Sequence, residues 1–204
     1  MKKSNAIPWW GWLVWIVAVV VGIVAYNYIP TQVPTHFNLA GEANQFGPRL
    51  VAVLVEPAIM IGIILLWHVL WRIDPKKRNY ETFWSTYRYI GGVIVVFIGL
   101  MYLSTLGHLL NIASVGMLLQ FGPTIFGIVI LLLANVLPRL QPNWWIGIRT
   151  PWTLSSEESW NRTHRLAGHL GIPTGVLMAI LIPIILWVLV TVVASYFYAQ
   201  PKGN

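Results

Sequence analysis

The chain has 204 residues, of which 57% are hydrophobic and only 9% charged, with a formal net charge of +7. A soluble domain carries roughly 25% charged residues, so this composition excludes an ordinary soluble fold and points to an integral membrane protein. The absence of cysteine excludes disulfides, thiolate nucleophiles and cysteine metal sites.

The first apolar run, Trp9 to Tyr28, follows Met1-Lys2-Lys3. It is longer than a signal-peptide core and has no clear small-x-small cleavage site, so it reads as a retained first span. Further runs cover Val51–Trp71, Ile90–Leu109 and Leu118–Leu137, and a longer tract extends from Ala167 to Ala199. Each of the first four has about the 20 residues needed to cross the hydrocarbon. None alternates as barrel strands do, so helices are expected.

Lysines and arginines orient the bundle. With the N-terminus in the cytoplasm, Lys2, Lys3, Arg72, Lys76, Lys77, Arg78, Arg88, Arg139, Arg149, Arg162 and Arg165 all face inward, eleven of the thirteen basic residues. Arg49 faces outward and Lys202 depends on the last tract. This asymmetry follows the positive-inside rule. It also assigns the basic excess to topology and to anionic lipid rather than to nucleic acid, which is not an expected partner.

Between the first two runs lies an outer loop with Pro34, His36, Phe37, Asn38 and Gly41. The prolines favour an extended path, and Asn38 and Gly41 suit a turn. Two readings stand side by side. One is a cap with Phe37 and Phe46 packed on the helix ends; the other is a contact surface for a peptide arriving from outside. His36 and Glu42 are too few ligands for a metal, and no metal or cofactor is expected elsewhere. Glu56, just inside the second run, is an intramembrane carboxylate and hence a candidate functional group. Its alternative is a pairing with Arg49.

The fourth run closes at Pro138, and a polar connection follows: "NWWIGIRTPWTLSSEESWNRTHRLAG", from Asn143 to Gly168. Ile146-Gly147-Ile148 is expected at the membrane surface. Ser155 and Glu158 have capping-box spacing, predicting a helix from about Ser156. On it Glu157, Trp160, Asn161 and His164 share a face, and Glu158 and Arg162 form an i,i+4 pair. The segment reads either as an amphipathic surface helix or as a docking surface in which Arg149, Glu157, His164 and Arg165 pair with one another or with a partner. The last tract is too long for one upright span and too short for two. Gly171 and Pro173 are expected to end an interfacial helix, or Pro183 to mark a hairpin. No polar turn residues flank Pro183, so five spans are favoured over six.

The Asn143–Gly168 passage strongly resembles the hallmark segment of the SdpI family of bacterial membrane proteins. "IPTQVPTHFNLAGEANQFGPR", from Ile29 to Arg49, resembles a small domain of unknown function that precedes that segment in many members. Members usually carry two spans after the hallmark, and the tract here is shorter. The resemblance implies a multi-pass protein of the bacterial cell membrane that confers immunity to a secreted antimicrobial peptide, or senses it. The implied partners are the lipid bilayer, an extracellular peptide toxin and a cytoplasmic transcriptional regulator. It selects Asn143, Trp144, Gly147, Arg149, Thr150, Pro151, Trp152, Glu157, Trp160, Thr163, His164 and Arg165 as the inner candidate residues.

The full expectation is one all-α membrane bundle over residues 1–204. It comprises an N-terminal hairpin over 9–72, a second hairpin over 86–138, and the hallmark connection with its membrane tract over 139–199. An enzyme is not expected: Ser155, Ser156, Glu157 and His164 offer no oxyanion site. A small transporter or permease is the competing reading, with Glu56-Pro57 as its main support and no internal repeat behind it.

Overall fold

The computed structural model describes residues 5–38, 43–112 and 115–199. The helices are α1 (Trp9–Ala25), α2 (Arg49–Ile73), α3 (Tyr80–Leu109), α4 (Val115–Ala134), the short α5 (Pro151–Ser155) and α6 (Glu157–Ala199). Single 3-10 turns at Lys77–Asn79 and Leu137–Arg139 precede α3 and follow α4. Four helical stretches among the described residues are long and apolar enough to cross a membrane, and α1, with 17 residues, is shorter. The chain is a multi-pass helical membrane protein.

The all-helical expectation needs one correction. The connection between α1 and α2 is not irregular: strands β1 (Gln32–Phe37) and β2 (Ala43–Pro48) form an antiparallel hairpin. The register runs from Gln32 opposite Pro48 to Phe37 opposite Ala43, with two irregularities around His36. Pro34 and Pro48 lack amide donors, which a two-stranded hairpin with open edges tolerates. Gly41 lies outside the described residues.

Helix ends also differ from the apolar runs. α1 stops at Ala25, short of Tyr28. α3 begins at Tyr80, ten residues before its apolar run, with a kink at Phe83 (φ −123°). These polar first turns are buried by neighbouring aromatics rather than by lipid: Tyr80, Phe83, Trp84 and Tyr87 are all inaccessible. α6 runs unbroken through Pro173 and Pro183. Neither the expected stop at Gly171-Pro173 nor a hairpin at Pro183 forms, and the tract is one helix. Its 43 residues extend about 65 Å, about twice the hydrocarbon thickness. The polar turns before Leu166 therefore belong outside the apolar run.

Small residues set how closely the helices approach. Gly11, Ala18, Gly22 and Ala25 are the buried face of α1. Gly22 lies under the Tyr102 hydroxyl, which donates to the Val53 carbonyl at 3.1 Å. Trp67 lies over Gly91 and donates to the Tyr87 carbonyl at 3.0 Å, and Trp10 covers Gly92. Thus α1, α2 and α3 pack as one group. α4 and α6 pair more tightly still. A Cβ on Gly127 would sit 2.5 Å from the Ala179 nitrogen, and one on Gly175 would sit 2.7 Å from the Gly127 carbonyl oxygen. Lipid is as apolar as leucine, so such contacts rest on close backbone packing. Thr124 adds a hydrogen bond to the Ala179 carbonyl at 3.1 Å.

The α4–α6 contact gives the first prediction. Gly175→Leu meets backbone, which cannot swing away, and should destabilise the bundle by about 1–3 kcal/mol. Thermal unfolding in detergent checks this, and an unchanged midpoint would remove α4–α6 packing as a determinant of stability.

Candidate functional site

The strongest concentration of buried polar groups lies where the α4–α5 connection folds over the 74–80 turn. Asn143 is fully buried and organises the first half of the connection. Its Oδ1 accepts from the Trp145 and Ile146 amides at 2.9 and 2.7 Å, and its Nδ2 donates to the Gln141 and Ile146 carbonyls at 3.0 and 2.9 Å. Two donors and two acceptor lone pairs are thereby used, the full capacity of an asparagine amide.

Gly147 follows with φ +111°, a conformation that an L side chain resists. A Cβ there would also strike the His164 ring. That ring is buried and lies on Trp160, with centroids 4.1 Å apart and planes 24° from parallel. Its Nδ1–H donates to the Trp160 carbonyl at 2.9 Å, and Nε2 accepts the Ile148 amide at 2.9 Å. A ring that accepts at Nε2 is neutral there. Burial pushes the His164 imidazole below its ordinary range, partly offset by its bond to the Trp160 carbonyl. Trp160, also fully buried, donates from Nε1 to the Leu140 carbonyl at 2.8 Å.

Thr150 caps α5, with Pro151 in the first turn where its missing amide costs nothing. The Thr150 hydroxyl accepts from the Thr153 amide at 3.3 Å, and the Thr153 hydroxyl accepts from the Thr150 amide at 2.8 Å. This is a capping box built from two threonines. The expected box on Ser155 does not form. Ser155 donates to the Trp152 carbonyl, and Ser156 accepts from the Ser159 amide at 3.2 Å, one position later. Glu158 pairs with Arg162 at 2.8 Å, the i,i+4 contact that the spacing predicts.

The expected mutual pairing of Arg149, Glu157, His164 and Arg165 is absent among the described residues. Arg149 donates to the Trp144 carbonyl, His164 is committed as above, and Glu157 and Arg165 are exposed. The shared face divides likewise: Trp160 and His164 are buried, while Glu157 and Asn161 face outward. Thr163 is half-buried beside them. Trp144, Trp145, Ile148 and Trp152 project from the wired frame, with Trp152 63% exposed.

Sequence reasoning missed the residue that joins the two connections. Asp74 is buried, and its carboxylate accepts three bonds: from the Tyr80 hydroxyl at 2.8 Å, the Trp144 amide at 2.9 Å and the Lys76 amide at 2.7 Å. Asn79 adds a bond to the Pro142 carbonyl at 2.7 Å, and Lys76 Nζ reaches the Leu154 carbonyl at 3.4 Å. Asp74 ends an apolar run and resembles an ordinary solvated boundary residue. Its one sequence signal is that it is the only carboxylate between Glu56 and Glu81.

The candidates expected in the outer loop, between α1 and α2, are arranged more openly. His36 is exposed, with Nδ1 2.7 Å from the Asn44 side-chain oxygen. Pro34 is half-buried opposite Phe46, and Phe46 is 61% exposed rather than packed on a helix end. Phe37 ends the first strand, and Asn38 follows it. Arg49 stacks over Tyr26 at 4.2 Å instead of meeting Glu56. Glu56 accepts from Thr105 at 3.5 Å. Among the described residues, no group of three His, Asp or Glu side chains is placed to hold a metal.

Comparisons with known proteins find matches at both ends of the chain. Residues 139–199 match the SdpI/YfhL protein family, and residues 13–61 match a domain of unknown function (DUF1648). The chain is similar to immunity protein SdpI of Bacillus subtilis (strain 168), with 22% identity over 193 residues, covering 86% of this chain and 87% of that protein. No solved structure matches. The chain is thus similar to the SdpI/YfhL family through residues 139–199 and to an immunity protein over most of its length.

Two predictions follow from the wiring. Asp74→Ala leaves the Tyr80 hydroxyl and Trp144 amide buried without an acceptor. It should cost about 2–3 kcal/mol, read as a lower unfolding midpoint; a neutral result would show that the two connections are not coupled. The second concerns pH. His164 is held neutral when folded, so its contribution is complete above the ordinary histidine pKa of about 6.5 and declines as pH falls towards the lower folded value. The wild type should lose stability on mild acidification more steeply than His164→Gln, which keeps an acceptor but does not titrate. Parallel declines would refute the assignment.

Proposed function

We propose that this SdpI/YfhL-like chain is a non-enzymatic immunity or sensing protein. In this reading it meets a secreted antimicrobial peptide at its outer hairpin and presents a preformed platform to a cytoplasmic regulator at its inner end. The observation that carries the reading is the division of labour in the 140–165 cap. Asn143, Gly147, Thr150, Thr153, Trp160 and His164 spend their polar groups or their backbone freedom on holding shape, while Trp144, Trp152 and Arg165 remain exposed. Exposed aromatics and arginine on a rigid frame are what a docking surface needs.

The basic residues support an inward-facing cap with the N-terminus inside, and five spans are the count that a single α6 favours. The β1–β2 hairpin then faces outward. Its open edges carry backbone donors and acceptors that an extended peptide can pair with. His36 and Phe46 flank those edges.

A transporter remains the second reading because Glu56 sits within a spanning helix with Thr105 as its partner. The two readings separate by mutation in a sensitive host challenged with a panel of secreted peptides. Wild-type protein should protect, whereas Trp152→Ala and Arg165→Ala should lose protection at unchanged membrane level and unfolding midpoint. Full protection by both variants would reduce the cap to a structural element, and loss confined to Glu56→Gln would favour transport. Because the chain lacks cysteine, Trp152→Cys also reports orientation. Modification by an impermeant thiol reagent in intact cells would invert the proposed topology.

A further inference from the structure

The proposed function leaves unused a basic cleft of about 550 Å³ between the 74–80 turn and α5. Lys76, Lys77 and Arg78 line one wall, and Leu154, Ser155 and Glu157 line the other. The basic wall is held in shape from beneath. The Lys76 amide is bonded to the Asp74 side chain, the Lys77 amide to the Asp74 carbonyl at 3.1 Å, and the Asn79 amide to the Lys76 carbonyl at 2.9 Å. Lys76 spans the cleft to Leu154, whereas Lys77 and Arg78 are exposed and, among the described residues, form no ion pair. Glu157 is the only anionic group on the lining, against three cations.

A second hollow of about 400 Å³ adjoins the first and shares Lys77 and Arg78 with it; Trp71, Arg72 and Glu81 complete its lining. Arg72 lies over the Trp71 ring at 4.8 Å. Below these hollows, an aliphatic track of Leu65, Leu66, Val69 and Ile73 is exposed along α2. Cations thus stand at the end of a spanning helix with an apolar path leading away from them, the polarity of a phospholipid. An arginine fork suits a phosphate, and a lysine adds a point charge.

We propose that Lys77 and Arg78, aided by Lys76, bind the phosphate of an anionic lipid headgroup whose acyl chains lie along α2. The site is independent of any peptide or regulator. It anchors the 74–80 turn to the bilayer, and through Asp74 it bears on the cap.

The test uses full-length protein in detergent, titrated with phosphatidylglycerol or phosphatidylcholine, with bound lipid counted by native mass spectrometry. Phosphatidylglycerol should bind saturably and in preference to phosphatidylcholine. The Lys77→Gln/Arg78→Gln variant should bind it roughly tenfold or more weakly. Arg139→Gln/Arg162→Gln removes the same formal charge away from the cleft and should bind as wild type. Unchanged binding by the cleft variant, or equal loss in both variants, would overturn the proposal. Adding glycerol phosphate distinguishes the source of the phosphate. If it fails to displace lipid, the site takes an intact headgroup; if it displaces lipid, the same cations serve a free phosphate ester and the lipid assignment falls.

Discussion

Beyond the 3-10 turn at Leu137–Arg139, the connection between α4 and α5 has no helical or sheet ladder, yet Leu140, Pro142 and Asn143 are buried at the end of the bundle. Buried amides and carbonyls must find partners, and here side chains supply them. Asn143 satisfies four backbone groups, His164 and Trp160 one or two each, and Asp74 reaches across from another connection to the Trp144 amide. The rest of this end of the bundle depends on this arrangement. Once the connection is held, α5 is capped, α6 begins at a defined point and Trp152 is displayed.

The same constraint explains why the cap couples to the rest of the bundle. Asp74 belongs to the end of α2, Tyr80 to the start of α3, and Trp144 to the connection after α4. A single carboxylate therefore ties three parts of the chain that are far apart in sequence. A buried carboxylate is costly unless its oxygens are bonded, so the three parts are stable together and strained apart. Any ligand that moves the 74–80 turn acts on the cap through this group.

The hairpin end of the bundle is built on a different principle. The β1–β2 hairpin is short and keeps large side chains such as Phe46 exposed. Val33 is its buried anchor, and the Arg49 amide bonds to the Thr31 carbonyl at 3.0 Å, pinning the hairpin base to α2. The bundle beneath is closed by glycine contacts, with α4 against α6 as the tightest. The cap is held by side-chain bonds to its backbone, whereas the hairpin is open along its edges.

Much of this was legible in the residues themselves. Apolar run length revealed the spanning helices because lipid leaves the backbone few alternatives. The i,i+4 spacing of Glu158 and Arg162 revealed their pair because it depends on one helix alone. The dense polar passage from Asn143 revealed where the candidate site lies, since polar residues are rare in this chain. Other features were decided by contacts between distant segments. Alternation across residues 32–48 is too weak to announce a hairpin, because Pro34 and the exposed Phe46 break the pattern and pairing depends on the partner strand. The cap on Ser156 rather than Ser155 followed from the position of α5, which Thr150 and Thr153 define. Asp74 and His164 took their roles from burial. One was brought under Trp144 by a segment 70 residues away, and the other under Ile148 by a chain reversal at Gly147. Local spacing carries information about a helix face, but which polar side chain ends up enclosed is set by what packs over it.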